Sequence, residues 1–274
     1  MTSYFVGKAV IVTGSSNGIG REVARQFASK GAKVTITGRN PETLAETRAL
    51  CVKSGAKEGD ILEVLGDLQD ESTAKRIVDE TVAKFGGIDV LVNNGAMLYG
   101  DPQHREGIYQ PIELFDKNFG LNARSVVLIT QLAAPHLEKT AGSVVNVSAI
   151  ASQKFVFPAM PYYGAAKAAL DHLTVSMAGT FIKKGVRVNG VSPGIIETDF
   201  TAKAGFTPDL KTSMYDKMAN DTLAIPMGRV GRPSDIASVI LFLADNTASA
   251  FILGQTIIAD GGTSLNLAIR NIVP

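Results

Sequence analysis

An apolar run, Ala9-Val10-Ile11-Val12, breaks into Thr13-Gly14-Ser15-Ser16-Asn17-Gly18-Ile19-Gly20, after which Ile19, Val23, Ala24 and Phe27 recur at helical spacing. A strand must end here, the backbone must turn tightly, and a helix must start at once. Glycine allows the turn and lets main chain come close to a bound group. The helix start supplies unpaired N–H groups and the positive end of a dipole, a place for phosphate. Gly14, Ser16, Asn17, Gly18, Ile19 and Gly20 are therefore candidate cofactor-binding residues. Glycines at 14, 18 and 20 differ from the commoner G-x-G-x-x-G spacing, and alone such a triad also suits an ordinary tight turn. Its position after the first strand of an alternating chain favours the nucleotide.

That alternation runs the length of the sequence. Further strands are predicted at Lys33 to Thr37, Ile61 to Leu65, Ile88 to Val92, Ser143 to Val147, Val186 to Val191 and Thr256 to Ala259. Between them, Asn40-Pro41 opens one helix with an N-cap asparagine and a first-position proline. Ala74, Ile77, Val78, Thr81, Val82 and Phe85 form the stripe of another, closed by Gly86-Gly87. Longer helical patterns cover about Ile112 to Leu137, Tyr163 to Lys183 and Ser234 to Ala244. The expected fold is α/β: a single Rossmann-like domain over 1–274, a doubly wound parallel seven-stranded sheet with helices on both faces. Two stretches, 97–111 and 200–231, fit no regular element well. Both follow strands near their carboxyl ends, where open α/β sheets bind ligands, and are read as substrate loops, the second as a lid.

Charge and composition exclude several functions. Lys and Arg total 27 against 26 Asp and Glu, which gives no electrostatic basis for binding nucleic acid or an anionic membrane. Cys51 is the only cysteine, so no intrachain disulfide is possible, and His104, His136 and His172 show no zinc spacing. No metal site is expected. Met1 to Lys8 lacks a long apolar core, and Ile236 to Ala244 is too short to span a bilayer. A cytoplasmic location is expected.

A second motif, Tyr163-Gly164-Ala165-Ala166-Lys167, places a phenol and an ammonium one helical turn apart. Such a pair exchanges a proton with an oxygen and implies redox chemistry at a carbonyl or alcohol. Cofactor choice is read at the end of the second strand. There Thr37-Gly38-Arg39 offers no carboxylate to repel a ribose 2′-phosphate, and Arg39 can grip it, which favours NADP(H) over NAD(H). The alternative is a solvated surface arginine. Asp67, with Leu68 beside it, is placed to meet the adenine, or else to cap the helix near Glu71. Asn93 and Asn94, with Gly95, tie strand ends together or touch the ribose.

These residues resemble the short-chain dehydrogenases/reductases along nearly the whole chain. The carriers are Thr13-Gly-x-x-x-Gly18-x-Gly20, Asp67, Asn93-Asn94-Gly95, Asn122, Tyr163-x-x-x-Lys167, Pro193-Gly194 with Thr198, and Asp260-Gly261-Gly262. Their surroundings look most like tropinone-reductase-like carbonyl and alcohol reductases. The resemblance implies that Tyr163 is the catalytic phenol, that Lys167 lowers its pKa and holds the nicotinamide ribose, and that Asn122 holds a water of a proton relay. It implies that Pro193, Gly194, Ile196 and Thr198 seat the carboxamide side of the nicotinamide. It also implies a homotetramer or homodimer built on the last helix and strand.

The pattern breaks in two places. The family usually carries a substrate-binding serine as the second serine of Asn-x-Ser-Ser, whereas Asn146-Val147-Ser148-Ala149 puts Ala149 there. Ser148 points to the opposite face if the strand continues, and substitutes only through a bulge or turn. Ser152 is another candidate. Asn93-Asn94-Gly95-Ala96 also reverses the usual Ala-Gly order. The function expected is NADP(H)-dependent hydride transfer between nicotinamide C4 and a ketone, aldehyde or secondary alcohol. The alternative is a catalytically impaired NADP-binding scaffold, and a lyase or epimerase is a weaker third. Phe155, Phe157, Met160, Tyr162, Phe200 and Phe206 line an apolar pocket in this reading, or fill core and interface.

Overall fold

The computed structural model describes residues 3–100, 107–153, 161–199 and 208–265. His104, Phe155, Phe157, Met160, Phe200 and Phe206 lie outside them. In chain order the elements are β1 (Ala9–Val12), α1 (Gly18–Ser29), β2 (Lys33–Gly38), α2 (Pro41–Lys53), β3 (Ile61–Leu65), α3 (Glu71–Phe85) and β4 (Val90–Asn93). There follow α4 (Ile112–Phe119), a π turn (Gly120–Arg124), α5 (Ser125–Thr140), β5 (Ser143–Val147), α6 (Pro161–Phe181) and β6 (Arg187–Pro193). The last are α7 (Pro208–Asn220), α8 (Pro233–Ala244) and β7 (Thr256–Ala259). The seven strands form one parallel sheet in the order β3-β2-β1-β4-β5-β6-β7.

Strand side chains alternate between two cores. Val10, Val12, Val34, Ile36, Val145 and Val147 face α1, α2 and α8, where Phe27, Leu44, Ile236 and Ile240 are fully buried or nearly so. Ile11, Leu91, Val144 and Val188 face the other way, against Ile77, Ile129 and Leu137. With both faces covered, the strands read as continuous apolar runs. The order reverses between β1 and β4, whose connections leave in opposite directions and open a crevice at the carboxyl ends.

Local signals account for several boundaries. Asn40 accepts from the Thr43 N–H at 3.0 Å as the N-cap of α2. Gly86 closes α3 in the left-handed conformation, with φ +89°. The 200–231 stretch corrects the expectation of irregular structure, because it contains α7. Its apolar positions are sparse, and burial of one of them, Tyr215, is tertiary. The long helical pattern from Ile112 is interrupted by the π turn, which divides α4 from α5.

Two polar devices fix the layers. Asn93 Nδ2 donates to Asn146 Oδ1 at 2.8 Å and to Thr130 at 3.1 Å, and Asn146 Nδ2 donates to Thr174 at 2.9 Å. This buried ladder joins α5, β4, β5 and α6. Arg187 is buried, with the Asp245 carboxylate near enough to act on its charge and, among the described residues, no salt bridge to it. Its guanidinium donates to Leu243 O at 2.8 Å, Ser249 O at 3.0 Å and Asn246 Oδ1 at 2.6 Å. Leu243 is in the last turn of α8, so the cation meets the negative end of that helix.

Candidate active site

The crevice is a cleft of about 280 Å³ at the carboxyl ends of the strands. Its floor is the glycine turn. A Cβ at Gly14 would stand 2.6 Å from Gly95 Cα, and one at Gly20 would stand 2.4 Å from Asn94 Nδ2. Neither position admits a side chain. Asn94 Nδ2 donates to the carbonyls of Thr13 and Gly14, each at 3.0 Å, so β4 braces the turn after β1. Arg21, one turn into α1, donates to Ser16 O and to Thr43 O of α2, holding the turn from behind. Asn17 precedes α1 without a side-chain hydrogen bond to the helix, so it does not cap the first N–H groups. A narrow glycine floor facing a helix start fits a dinucleotide pyrophosphate.

Arg39 and Asp67 line one end of the cleft and lie 3.4 Å apart, both partly exposed. Asp67 Oδ1 accepts from the Gln69 N–H at 3.0 Å, while the residue preceding α3 is Asp70, so Asp67 does not cap that helix. Leu68 and Gly95 also line the cleft.

At the other end stand Tyr163 and Lys167, on the first turns of α6 and both buried. Lys167 Nζ donates to Val147 O at 2.8 Å and lies 5.8 Å from the centre of the Tyr163 ring. Burial lowers the Lys167 pKa to about 8, with the Asp171 carboxylate opposing the shift. Burial also raises the Tyr163 phenol above its ordinary range, so in the free protein Tyr163 keeps its proton. A Cβ at Gly164 would stand 2.8 Å from Ala151 O, so glycine lets the turn after β5 pack directly on α6.

Ala149 is extended (φ −163°, ψ 153°) and lines the cleft. The Ser148 hydroxyl donates to Lys167 O at 3.3 Å and is buried against α6. Ser152 has a buried hydroxyl with no hydrogen-bond partner and is not part of the cleft wall. Asn122 lies in the π turn, fully buried behind the wall. Its Nδ2 donates to Met97 O and Asn118 O, each at 2.9 Å, and its Oδ1 accepts from Met97 N at 3.3 Å. Asn118 makes the same paired contact with Tyr99, so two asparagines zip the 97–99 backbone to α4.

Pro193, Gly194, Ile196 and Thr198 close the cleft from β6, and a Cβ at Gly18 would stand 2.9 Å from Thr198 Cγ2. The candidate cofactor residues, Ser148, Tyr163 and Lys167 converge on this one cleft, whereas Asn93, Asn122 and Ser152 do not line it. Tyr162 does not line it; its phenol donates to Gln110 O at 3.0 Å and its ring packs edge-on to Phe115. Met97, Leu98, Met214 and Tyr215 fall within the stretches read as substrate loops, though not singled out; Leu121 and Ile195, apolar walls that belong to no motif, were missed.

A family model described as enoyl-(acyl carrier protein) reductase matches residues 14–264. A Caenorhabditis elegans short-chain dehydrogenase/reductase of unknown function, solved with cofactor, is 45% identical with a TM-score of 0.95, over 97% of this chain and 98% of that one. Glucose dehydrogenase of the same organism, in the apo form, is 42% identical with a TM-score of 0.81, over 95% and 99% of the two chains. L-fucose dehydrogenase of Bos taurus is 34% identical over 97% of this chain and 92% of its own length. With its parallel seven-stranded sheet and a nicotinamide-type cleft holding a buried tyrosine and lysine, the chain belongs to the short-chain dehydrogenase/reductase family of oxidoreductases acting on alcohols and carbonyls.

Proposed function

We propose that the protein is an NADP(H)-dependent carbonyl reductase, acting on an uncharged ketone or aldehyde and, in reverse, on a secondary alcohol. The observation that carries this reading is Tyr163 and Lys167 in the same cleft as the glycine turn. The dinucleotide, when bound, supplies or accepts the hydride. Tyr163 donates its proton to the substrate oxygen; burial keeps that proton in place in the free protein, and a neighbouring positive charge is needed to ease its release. Lys167 faces the phenol ring and stabilises the phenolate that results. Asn122 has its side-chain amide engaged by Met97 and Asn118, so its side chain acts on the 97–99 backbone rather than on the substrate.

Arg39 supports NADP(H): its guanidinium is exposed at the cleft end, and at 3.4 Å its pairing with Asp67 is weak and easily exchanged for a phosphate. The single cysteine, Cys51, is buried and suits a reducing cytoplasm. Among the described residues no helix is long and apolar enough to cross a membrane, and no metal-binding cluster occurs.

The test is a panel of ketones, aldehydes and secondary alcohols with NADPH, NADH and their oxidised forms. Turnover with NADPH is expected. Tyr163→Phe should lower kcat by roughly 10²–10⁴ while NADPH still binds. Arg39→Ala should weaken NADPH by about 1.5–3 kcal/mol and leave NADH nearly unchanged. Substantial activity in Tyr163→Phe sinks the mechanism, and equal losses for both cofactors sink the role of Arg39. Ala149 favours one second reading, an NADP-binding scaffold. It becomes the better one if the wild type binds NADPH and turns over nothing.

A further inference from the structure

The loop after β6 is held from two sides. On one side it bridges to Gly231: the Glu197 N–H donates to Gly231 O at 2.8 Å, and the Gly231 N–H to Ile195 O at 2.9 Å. On the other side Tyr215 of α7 reaches it. Tyr215 Oη donates to Ile196 O at 3.2 Å and stands 3.4 Å from Thr198 O, so two carbonyls share its proton. Tyr215 is buried, whereas Asp209, Thr212, Ser213, Asp216 and Lys217 around it on α7 are exposed. Tyr215 and Met214 are where this helix enters the cleft. Thr198 then crosses to the glycine turn, close enough that Gly18 admits no Cβ. Contact is therefore continuous from α7 through Tyr215 and Thr198 to the floor on which a dinucleotide would rest.

We propose that Tyr215 is a positioning residue that joins α7 to the Pro193–Thr198 loop, so that seating a dinucleotide against the loop also sets the substrate wall of the cleft. This rests on the redox reading of the cleft, but not on which nicotinamide cofactor is used. A tyrosine that only filled space would act through its ring. The coupling needs the hydroxyl, since the ring alone gives the two carbonyls no donor.

Tyr215→Phe keeps the ring and removes the donor. Hydrogen exchange over 14–20, 195–198 and 208–220 of the full chain, with and without saturating NADPH or NADH, reads the coupling directly. In the wild type, dinucleotide should slow exchange in all three segments. In the variant, slowing should persist over 14–20 and be lost over 208–220. KM for a carbonyl from the panel should rise about three- to ten-fold, the weight of one hydrogen bond. Cofactor-dependent slowing over 208–220 that survives in the variant overturns the proposal. So does its absence in a wild type that still slows over 14–20, an outcome that leaves the redox reading intact. Raised exchange throughout the variant before cofactor is added shows a structural role only, and overturns it as well. A wild type in which neither dinucleotide slows 14–20 removes the redox reading, and the proposal falls with it.

Discussion

Ala149 and Ser148 are neighbours on the cleft wall, but only Ser148 has its side chain tied to α6. Alternation along an extended backbone sends Ser148 to α6, where its hydroxyl meets Lys167 O, and leaves the Ala149 methyl at the cleft. A hydroxyl aimed at a developing oxyanion is commonly worth about 2.7–4 kcal/mol, and Ala149 provides none. Ala149→Ser should therefore raise kcat ten-fold or more, about 1.4 kcal/mol, while Ser148→Ala changes kcat little. The reverse pattern in steady-state kinetics would mean that Ser148 turns to the substrate oxygen. The sequence shows both residues and predicts the face of each, because strand alternation is a local rule. It cannot show that Ser148 has a partner, because Lys167 O lies on another element.

Elements were legible where their signals are local. The Asn40-Pro41 start, the Gly86 stop and the Ile61–Leu65, Ser143–Val147 and Thr256–Ala259 strands need only propensity and caps. The π turn and α7 were not, since one depends on Asn118 and Asn122 gripping the 97–99 backbone and the other on burial of Tyr215. Arg187 was equally silent, although it holds the end of α8. Burial lowers its pKa, yet it stays charged: carbonyl oxygens take its N–H groups while the Asp245 carboxylate favours the cation. Arg187→Met keeps the volume and leaves those carbonyls without a donor. The expected cost is roughly 3 kcal/mol, a Tm lower by roughly 6–12 °C in calorimetry. A fall of less than about 2 °C would show that water or neighbouring amides replace the guanidinium.

At the scale of the whole molecule, the sheet ends on β7 with apolar side chains left in solvent. Phe251 is fully exposed, and Phe242 and Ile258 remain 40% and 41% exposed. Exposed apolar side chains of this size suit burial against a second subunit. They lie on or beside the last helix and strand, where the family resemblance puts a subunit contact. We expect a homodimer or homotetramer in light scattering at micromolar concentration, and a smaller species for Phe251→Asp. A wild-type monomer across that range refutes this.

The glycine turn has a further consequence for stability. Gly14, Gly20, Asn94 and Gly95 touch one another across some 80 positions of sequence, so the floor of the cleft exists only after β1 and β4 have paired. An unfolded chain offers no such floor. Any dinucleotide that binds there is thus a ligand of the native state alone, and each ten-fold excess over its Kd adds about 1.4 kcal/mol to the cost of unfolding. In a cell, the lifetime of this protein would then rise and fall with the supply of its own coenzyme.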